Sequence, residues 1–112
     1  MRSMKLPTRN RRPRGLPRAD FMFTIGYRGS VAIVDRAARR RHARLSGDGL
    51  LERGLYKAAL CAAEFDGDTA AQEAVLSSYN AQAAVPVADV DQLRARFGVF
   101  GVPASVTGVE RI

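Results

Sequence analysis

The sequence predicts a single small α+β domain in which an N-terminal β-hairpin packs with a mostly helical body. Three observations support this fold class. Residues 21–35 are rich in β-branched and aromatic side chains, two later stretches carry apolar residues at helical spacing, and only a few residues separate those stretches. The predicted body is therefore an antiparallel helix pair, followed by a short third helix. A length of 112 residues suits one such domain.

The predicted hairpin has strands Phe21–Tyr27 and Ser30–Asp35. Arg28 and Gly29 form its two-residue turn, because glycine readily adopts the positive φ that such a turn requires. This register places five apolar residues on one face: Phe23, Ile25, Tyr27, Ala32 and Val34. Two strands alone are only marginally stable in water, so helices or a second copy of the hairpin must cover this face.

The next predicted helix runs from Arg36 to about Leu45 and carries arginines along one side. Arg36, Arg40 and Arg44 recur every four residues, which places them on a common stripe. Stacked like charges oppose one another by a few tenths of a kcal/mol per pair. The stripe therefore implies either an anionic partner or acids supplied from elsewhere in the fold.

A central, nearly buried helix is predicted over Leu50–Phe65, because apolar side chains surround most of its circumference. Ser46 or Asp48 can cap its first turn. Gly54 lies inside this predicted helix, where glycine costs about 1 kcal/mol relative to alanine. Close packing against another backbone is expected at that glycine.

The second member of the helix pair follows a short polar break at 66–68. Thr69 and Gln72 match the spacing of a capping box at its start. Asp89 is then expected to cap the short third helix, and Gly98 to close it. Residues 99–112, which are apolar and punctuated by glycine, are expected to lie over the core as an extended tail.

The positive charge is concentrated near the N-terminus. The formal net charge is +7, but residues 1–19 hold seven basic side chains and no acid, whereas eleven basic and eleven acidic residues balance in the remainder. Repelling charges and three prolines predict a disordered basic tail over 1–20 and a folded domain over 21–112 that keeps its stability without the tail. The tail is either an arm that neutralises phosphates or a solvated extension. A further alternative is that the protein starts at Met22.

Composition also limits the cellular setting. The one cysteine, Cys61, cannot form an internal disulfide, and no apolar run follows the positive N-terminus as in a secretory signal. No stretch approaches the roughly 18 apolar residues that a membrane span needs. We therefore expect a cytoplasmic protein with no membrane partner.

No set of residues that usually carries catalysis or metal binding is complete. Glu64, Asp66 and Asp68 resemble the alternating acids of a calcium loop, but Ala70 and Gln72 occupy the next alternate positions. His42 and Cys61 lack the further members of a nucleophilic site. We expect no enzymatic activity, no metal and no cofactor.

Residues 94–106, RARFGVFGVPASV, resemble the stretch before the cis-proline of thioredoxin-like proteins, with Pro103 in the position of that proline. No Cys-x-x-Cys pair, which redox activity would require, precedes the segment. The resemblance therefore gives no basis for a redox function.

The candidate binding surface is the arginine-rich stretch, with five members: Arg36, Arg39, Arg40, Arg41 and Arg44. Guanidinium groups match phosphate geometry, but no aromatic platform for bases accompanies them and the domain holds eleven acids that can pair with them. Because charge runs are usually solvated faces, the sequence favours a small non-catalytic protein-interaction or assembly domain, with a protein or a second copy in a homodimer as partner. The alternative is a nucleic-acid-binding accessory protein that uses this stripe and the basic tail.

Overall fold

The computed structural model describes residues 16–112, and residues 1–15 lie outside the described part. The described chain is mixed α+β, as the sequence predicts, with six helices and one three-stranded sheet. In chain order the elements are α1 (Arg18–Met22), β1 (Thr24–Arg28), β2 (Val31–Val34), α2 (Arg36–His42), α3 (Gly47–Glu52), α4 (Tyr56–Asp66), α5 (Thr69–Gln82), α6 (Val90–Phe97) and β3 (Gly108–Arg111).

Helix α1 begins at Arg18, inside the segment that the sequence assigns to the tail. Leu16 and Asp20 are buried, with 6% and 0% of their surface exposed. The folded region therefore includes residues before 21, unlike the prediction. In the sequence, Leu16 and Asp20 are obscured by the basic residues and prolines around them.

The β1–β2 hairpin is present, but its turn is Gly29–Ser30, one residue later than predicted, and Arg28 pairs with Val31. Gly29 has the expected positive φ, 58°. The register is irregular between Thr24 and Gly26, so Ile25 has no partner in β2.

This irregularity changes the predicted apolar face. Phe23, Ala32 and Val34 are buried as expected, whereas Ile25 and Tyr27 are 57% and 39% exposed. The hydroxyl of the buried Thr24 donates a hydrogen bond to the backbone oxygen of Asp20. An inserted residue shifts which side chains face inward, and a pattern of alternating residues does not reveal it.

Strand β3 replaces the predicted extended tail. It pairs in parallel with β2, from Val31 opposite Gly108 to Val34 opposite Arg111, and gives the strand order β1-β2-β3. Four residues with little apolar alternation carry no clear strand signal, and the partner strand lies more than seventy residues earlier. No peptide bond among residues 16–112 is cis, including the one before Pro103.

The predicted central helix is divided into α3 and α4. Gly54 adopts φ 71° between them, which is a left-handed conformation that ends a helix, so the predicted close packing inside a continuous helix is wrong. Ser46 caps α3 as expected, because its side chain accepts from the Gly49 N–H. The arginine-bearing helix α2 ends at His42 and is capped by Asp35.

Helix α4 is the centre of the core, as predicted for this part of the chain. Residues 58–63 are all buried, and the helix contacts α1, α3 and α5. Gly67, at φ 64°, closes it, and Asp68 caps α5 by accepting from the Ala71 N–H. The predicted Thr69 cap is thus one residue late, since Thr69 is already the first helical residue.

Helix α6 begins and ends as predicted, with Asp89 as its cap and Gly98 at φ 69° after its last turn. Edge-to-face contacts join α4, α5 and α6, with centroid distances of 5.6 Å from Tyr56 to Tyr79 and 5.4 Å from Tyr79 to Phe97. Arg94 of α6 donates to Glu64 at 2.6 Å. These contacts hold the third helix against the helix pair.

Candidate anion-binding groove

A groove of about 900 Å³ lies between α2 and β3. We call it the arginine groove. Five of its eight lining residues are arginines, four of them from the predicted binding surface; the lining is Arg36, Arg39, Arg40, Ala43, Arg44, Val109, Glu110 and Arg111. Its electrostatic character is therefore strongly positive.

The helical geometry of α2 explains why these arginines converge. Each four-residue step advances about 6 Å along a helix while returning to nearly the same side. Arg36 and Arg40 consequently lie above one another, and Arg44 continues the row just beyond the helix end; all three are exposed. Ala38 and Ala43, which are partly buried, pack against the hydrophobic core, and Ala43 also lines the groove.

A buried carboxylate lies beside the groove. Asp20 of α1 accepts two hydrogen bonds from Arg111, Nε to Oδ1 at 2.9 Å and Nη2 to Oδ2 at 2.8 Å. Arg39 Nε lies 2.8 Å from Asp20 Oδ1, yet its N–H points at no acceptor among residues 16–112. Arg39 therefore contributes an ion pair rather than a hydrogen bond.

These contacts determine the charge state of Asp20. Its pKa is held below the usual range, chiefly by the hydrogen bonds from Arg111 and also by the charges of Arg39 and Arg111, which together outweigh the opposing effect of burial. The same hydrogen bonds raise the pKa of Arg111. One buried negative charge thus faces two of the groove's five positive charges.

The other three groove arginines have no acidic partner in the described chain. Arg36 donates to the backbone oxygen of Arg111 at 2.9 Å, which links α2 to β3, and Arg36, Arg40 and Arg44 form no ion pair among residues 16–112. All eleven acids of the sequence lie within those residues. The one acid that lines the groove is Glu110, and its Oε1 lies 3.6 Å from Nη1 of Arg28.

One predicted member lies outside this site, and two others were missed. Arg41 is exposed but does not line the groove. Asp20 and Arg111 were not found from the sequence, because they are 91 positions apart and belong to segments assigned to a tail at each end. In the sequence, Asp20 is distinguished only as the first acid after a stretch in which every charged residue is basic.

The residues considered for catalysis are not assembled into a site. Cys61 is buried, and burial raises the pKa of its thiol to about 12, so it is protonated at neutral pH. His42 packs against Phe23, with ring centroids 6.5 Å apart. Asp66 pairs with Arg18, and Asp68 caps a helix. Within residues 16–112, no cluster of three or more histidine, cysteine or acidic side chains is arranged to hold a metal ion.

Across the described helices, none combines the length and apolar composition of a membrane span. Comparisons with protein-family models, curated proteins and solved structures find no match to this chain.

Proposed function

We propose that this protein binds the phosphate backbone of nucleic acid through the arginine groove. One observation carries the proposal: Arg36, Arg40 and Arg44 form an exposed row without carboxylate partners, although every acid of the chain lies in the described region. Like charges stacked along one side of a helix repel one another, so an anionic partner would stabilise this row. The sequence alone favours a protein-contact surface, whereas the lack of acidic partners favours the alternative, a surface that binds nucleic acid.

The lining of the groove supports backbone contact rather than base recognition. Guanidinium groups bind phosphate in a bidentate way. The arginines form a row along the helix, so they could contact successive phosphates of a polymeric anion. No aromatic residue lines the groove, so bases have no platform on which to stack. Binding should therefore depend weakly on base sequence and strongly on salt.

The remaining sequence-based expectations accompany this proposal as predictions. A non-catalytic, cytoplasmic accessory protein suits a groove that binds without reacting. The seven basic residues of 1–19 would add affinity without specificity. The proposal also requires the hairpin to pack firmly on the helical body, because β2 positions β3 opposite α2.

The test compares two charge-matched triple variants of the full chain. Arg36, Arg40 and Arg44 are changed to glutamine in one, and Arg41, Arg53 and Arg96, which are exposed outside the groove, in the other. Fluorescence anisotropy with labelled DNA at several salt concentrations measures the affinity of each. Losing three phosphate contacts should flatten the log–log salt dependence by about three units for duplex DNA, only in the groove variant.

The basic segment is the same in both variants, so its contribution cancels. Equal losses in the two variants would show that net charge, rather than the groove, governs binding. Poly-L-glutamate serves as a second probe. Poly-L-glutamate could bind as tightly as DNA, and the groove variant could abolish that binding. The groove would then recognise an acidic protein, and the nucleic-acid proposal would fail.

A further inference from the structure

Lys57 lies between two cavities on a surface separate from the arginine groove. The larger cavity, about 360 Å³, and the smaller one, about 70 Å³, share three lining residues: Thr24, Ile25 and Lys57. They are therefore parts of one continuous surface, which we call the Lys57 surface.

The Lys57 surface is mostly apolar. Around the larger cavity its apolar residues include Met22, Phe23, Leu55, Tyr56, Ala58 and Phe97. Around the smaller cavity, Ile25, Tyr27 and Phe100 are 57%, 39% and 68% exposed. These three are among the few large apolar side chains that the described chain leaves exposed, and they occur together. A grouped apolar surface of this kind is typical of a binding site.

Lys57 places a positive charge in the middle of this surface. Its Nζ donates to the backbone oxygen of Thr24 at 3.3 Å and forms no ion pair with the acids, all of which are described. Three other titratable side chains, Asp35, His42 and Tyr56, line the larger cavity. The Asp35 carboxylate accepts from the Ala38 N–H as the cap of α2 and forms no ion pair with Lys57.

We infer that the Lys57 surface binds a short apolar peptide segment of another protein that carries one carboxylate. Apolar side chains of the segment would cover the cavities on either side, and its carboxylate would bind Lys57 Nζ. A covered ammonium without a counter-charge is costly, so a partner that buries this surface must supply an acid. A two-fold contact centred on Lys57 would bring two ammonium groups together, which disfavours a second copy as the occupant.

A selection experiment tests the inference without assuming a peptide sequence. Random seven-residue peptides displayed on phage are selected on the full chain at moderate salt. Enriched peptides should hold one Asp or Glu between large apolar residues. Selection on Lys57→Met should lose the acid but keep the apolar residues, and selection on Phe100→Ser should lose enrichment. The groove variant with Arg36, Arg40 and Arg44 changed to glutamine should give the same peptides as the original protein.

Affinity measurements on one enriched peptide complete the test. Lys57→Met should weaken its binding about tenfold, and replacing the peptide acid with its amide should weaken it equally for the original protein. For Lys57→Met, replacing the peptide acid with its amide should cause no further loss of affinity, because both changes remove the same interaction. Circular dichroism checks that both variants fold, and Phe100 is exposed enough for its change to spare the core.

Three results would overturn the inference. The first is the absence of enrichment, and the second is enrichment of acidic peptides that Lys57→Met does not alter. The third is a dimer in sedimentation experiments that Phe100→Ser dissociates, because a second copy would then cover the surface. None of these results bears on DNA binding by the arginine groove, which the two triple variants test separately.

Discussion

Asp20 and Arg111 are joined by two hydrogen bonds, at 2.9 and 2.8 Å, across 91 positions of the chain. The carboxylate belongs to the first described helix and the guanidinium to the last strand. The pair fixes β3 beside α1 while Arg39 approaches the same carboxylate from α2. A single buried acid thereby organises one wall of the arginine groove.

Replacing Asp20 with asparagine should lower stability and strengthen anion binding. The variant loses charge-assisted hydrogen bonds to a fully buried carboxylate, and we expect a loss of roughly 2–3 kcal/mol in the free energy of unfolding. It also leaves Arg39 and Arg111 without their counter-charge, so DNA should bind more tightly. Urea denaturation and anisotropy measure the two effects. Asp66→Asn is the control, because its pair with Arg18 is half-exposed and should change stability by less than about 1 kcal/mol.

Stability should fall in acid partly because Asp20 becomes protonated. Arg111 and Arg39 lower its pKa in the folded state, so its contribution is fully present above the unfolded-state pKa of about 3.9. The contribution is lost as the pH falls through the folded-state pKa. The stability difference between the original protein and Asp20→Asn should thus be constant from about pH 7 to 5 and shrink below about pH 4. Urea titrations across this range measure it, and a difference that grows in acid would contradict the assignment.

Two N-terminal deletions should differ in stability. A chain starting at Met22 lacks the buried Leu16, Asp20 and Phe21, whereas one starting at Leu16 keeps them. Each buried apolar side chain is worth about 1.5–3 kcal/mol, so the loss of Leu16 and Phe21 should make the shorter chain less stable by at least about 3 kcal/mol. This replaces the sequence-based expectation that the domain keeps its stability without residues 1–20. Equal midpoints in thermal unfolding would show that residues 16–21 contribute little.

Alanine at Gly54 and at Gly47 should have opposite effects. Gly54 has φ 71°, and a side chain in this conformation costs roughly 1–2 kcal/mol, so Gly54→Ala should lower the free energy of unfolding by that amount. Gly47 lies in open space at the start of α3 without a positive φ. Gly47→Ala should raise stability by up to about 1 kcal/mol. Chemical denaturation compares the two, and a neutral Gly54→Ala would indicate a continuous helix.

Local signals predicted much of the fold. The caps at Ser46 and Asp89 depend on a side chain and a backbone N–H within three residues of it, so the sequence places them correctly. The burial of α4 follows from its nearly unbroken apolar surface. The arginine row was also predictable, because helical spacing alone defines it. Each of these features is complete within a few turns of chain.

Features that depend on distant residues were missed. Strand β3 exists because β2 offers it an edge, and its own four residues do not identify it. Asp20 is recognisable as a buried acid only once Arg111 is beside it. At Gly54 the sequence has two locally acceptable solutions, a helix containing a glycine or a helix ended by one. The surrounding packing selects the second.

The parallel pairing of β2 with β3 makes the order of synthesis matter. Between these strands the chain passes through five helices, α2 to α6, so the sheet closes a loop of more than seventy residues. Such non-local pairing slows folding relative to a domain built from neighbouring contacts. A ribosome that adds 5–20 residues per second needs roughly 5–20 s to travel from Asp20 to Arg111. Throughout that interval the acid has no arginine from β3. Once β2 has been made, its outer edge stays open until β3 follows, and the nascent chain offers that edge to any extended segment nearby.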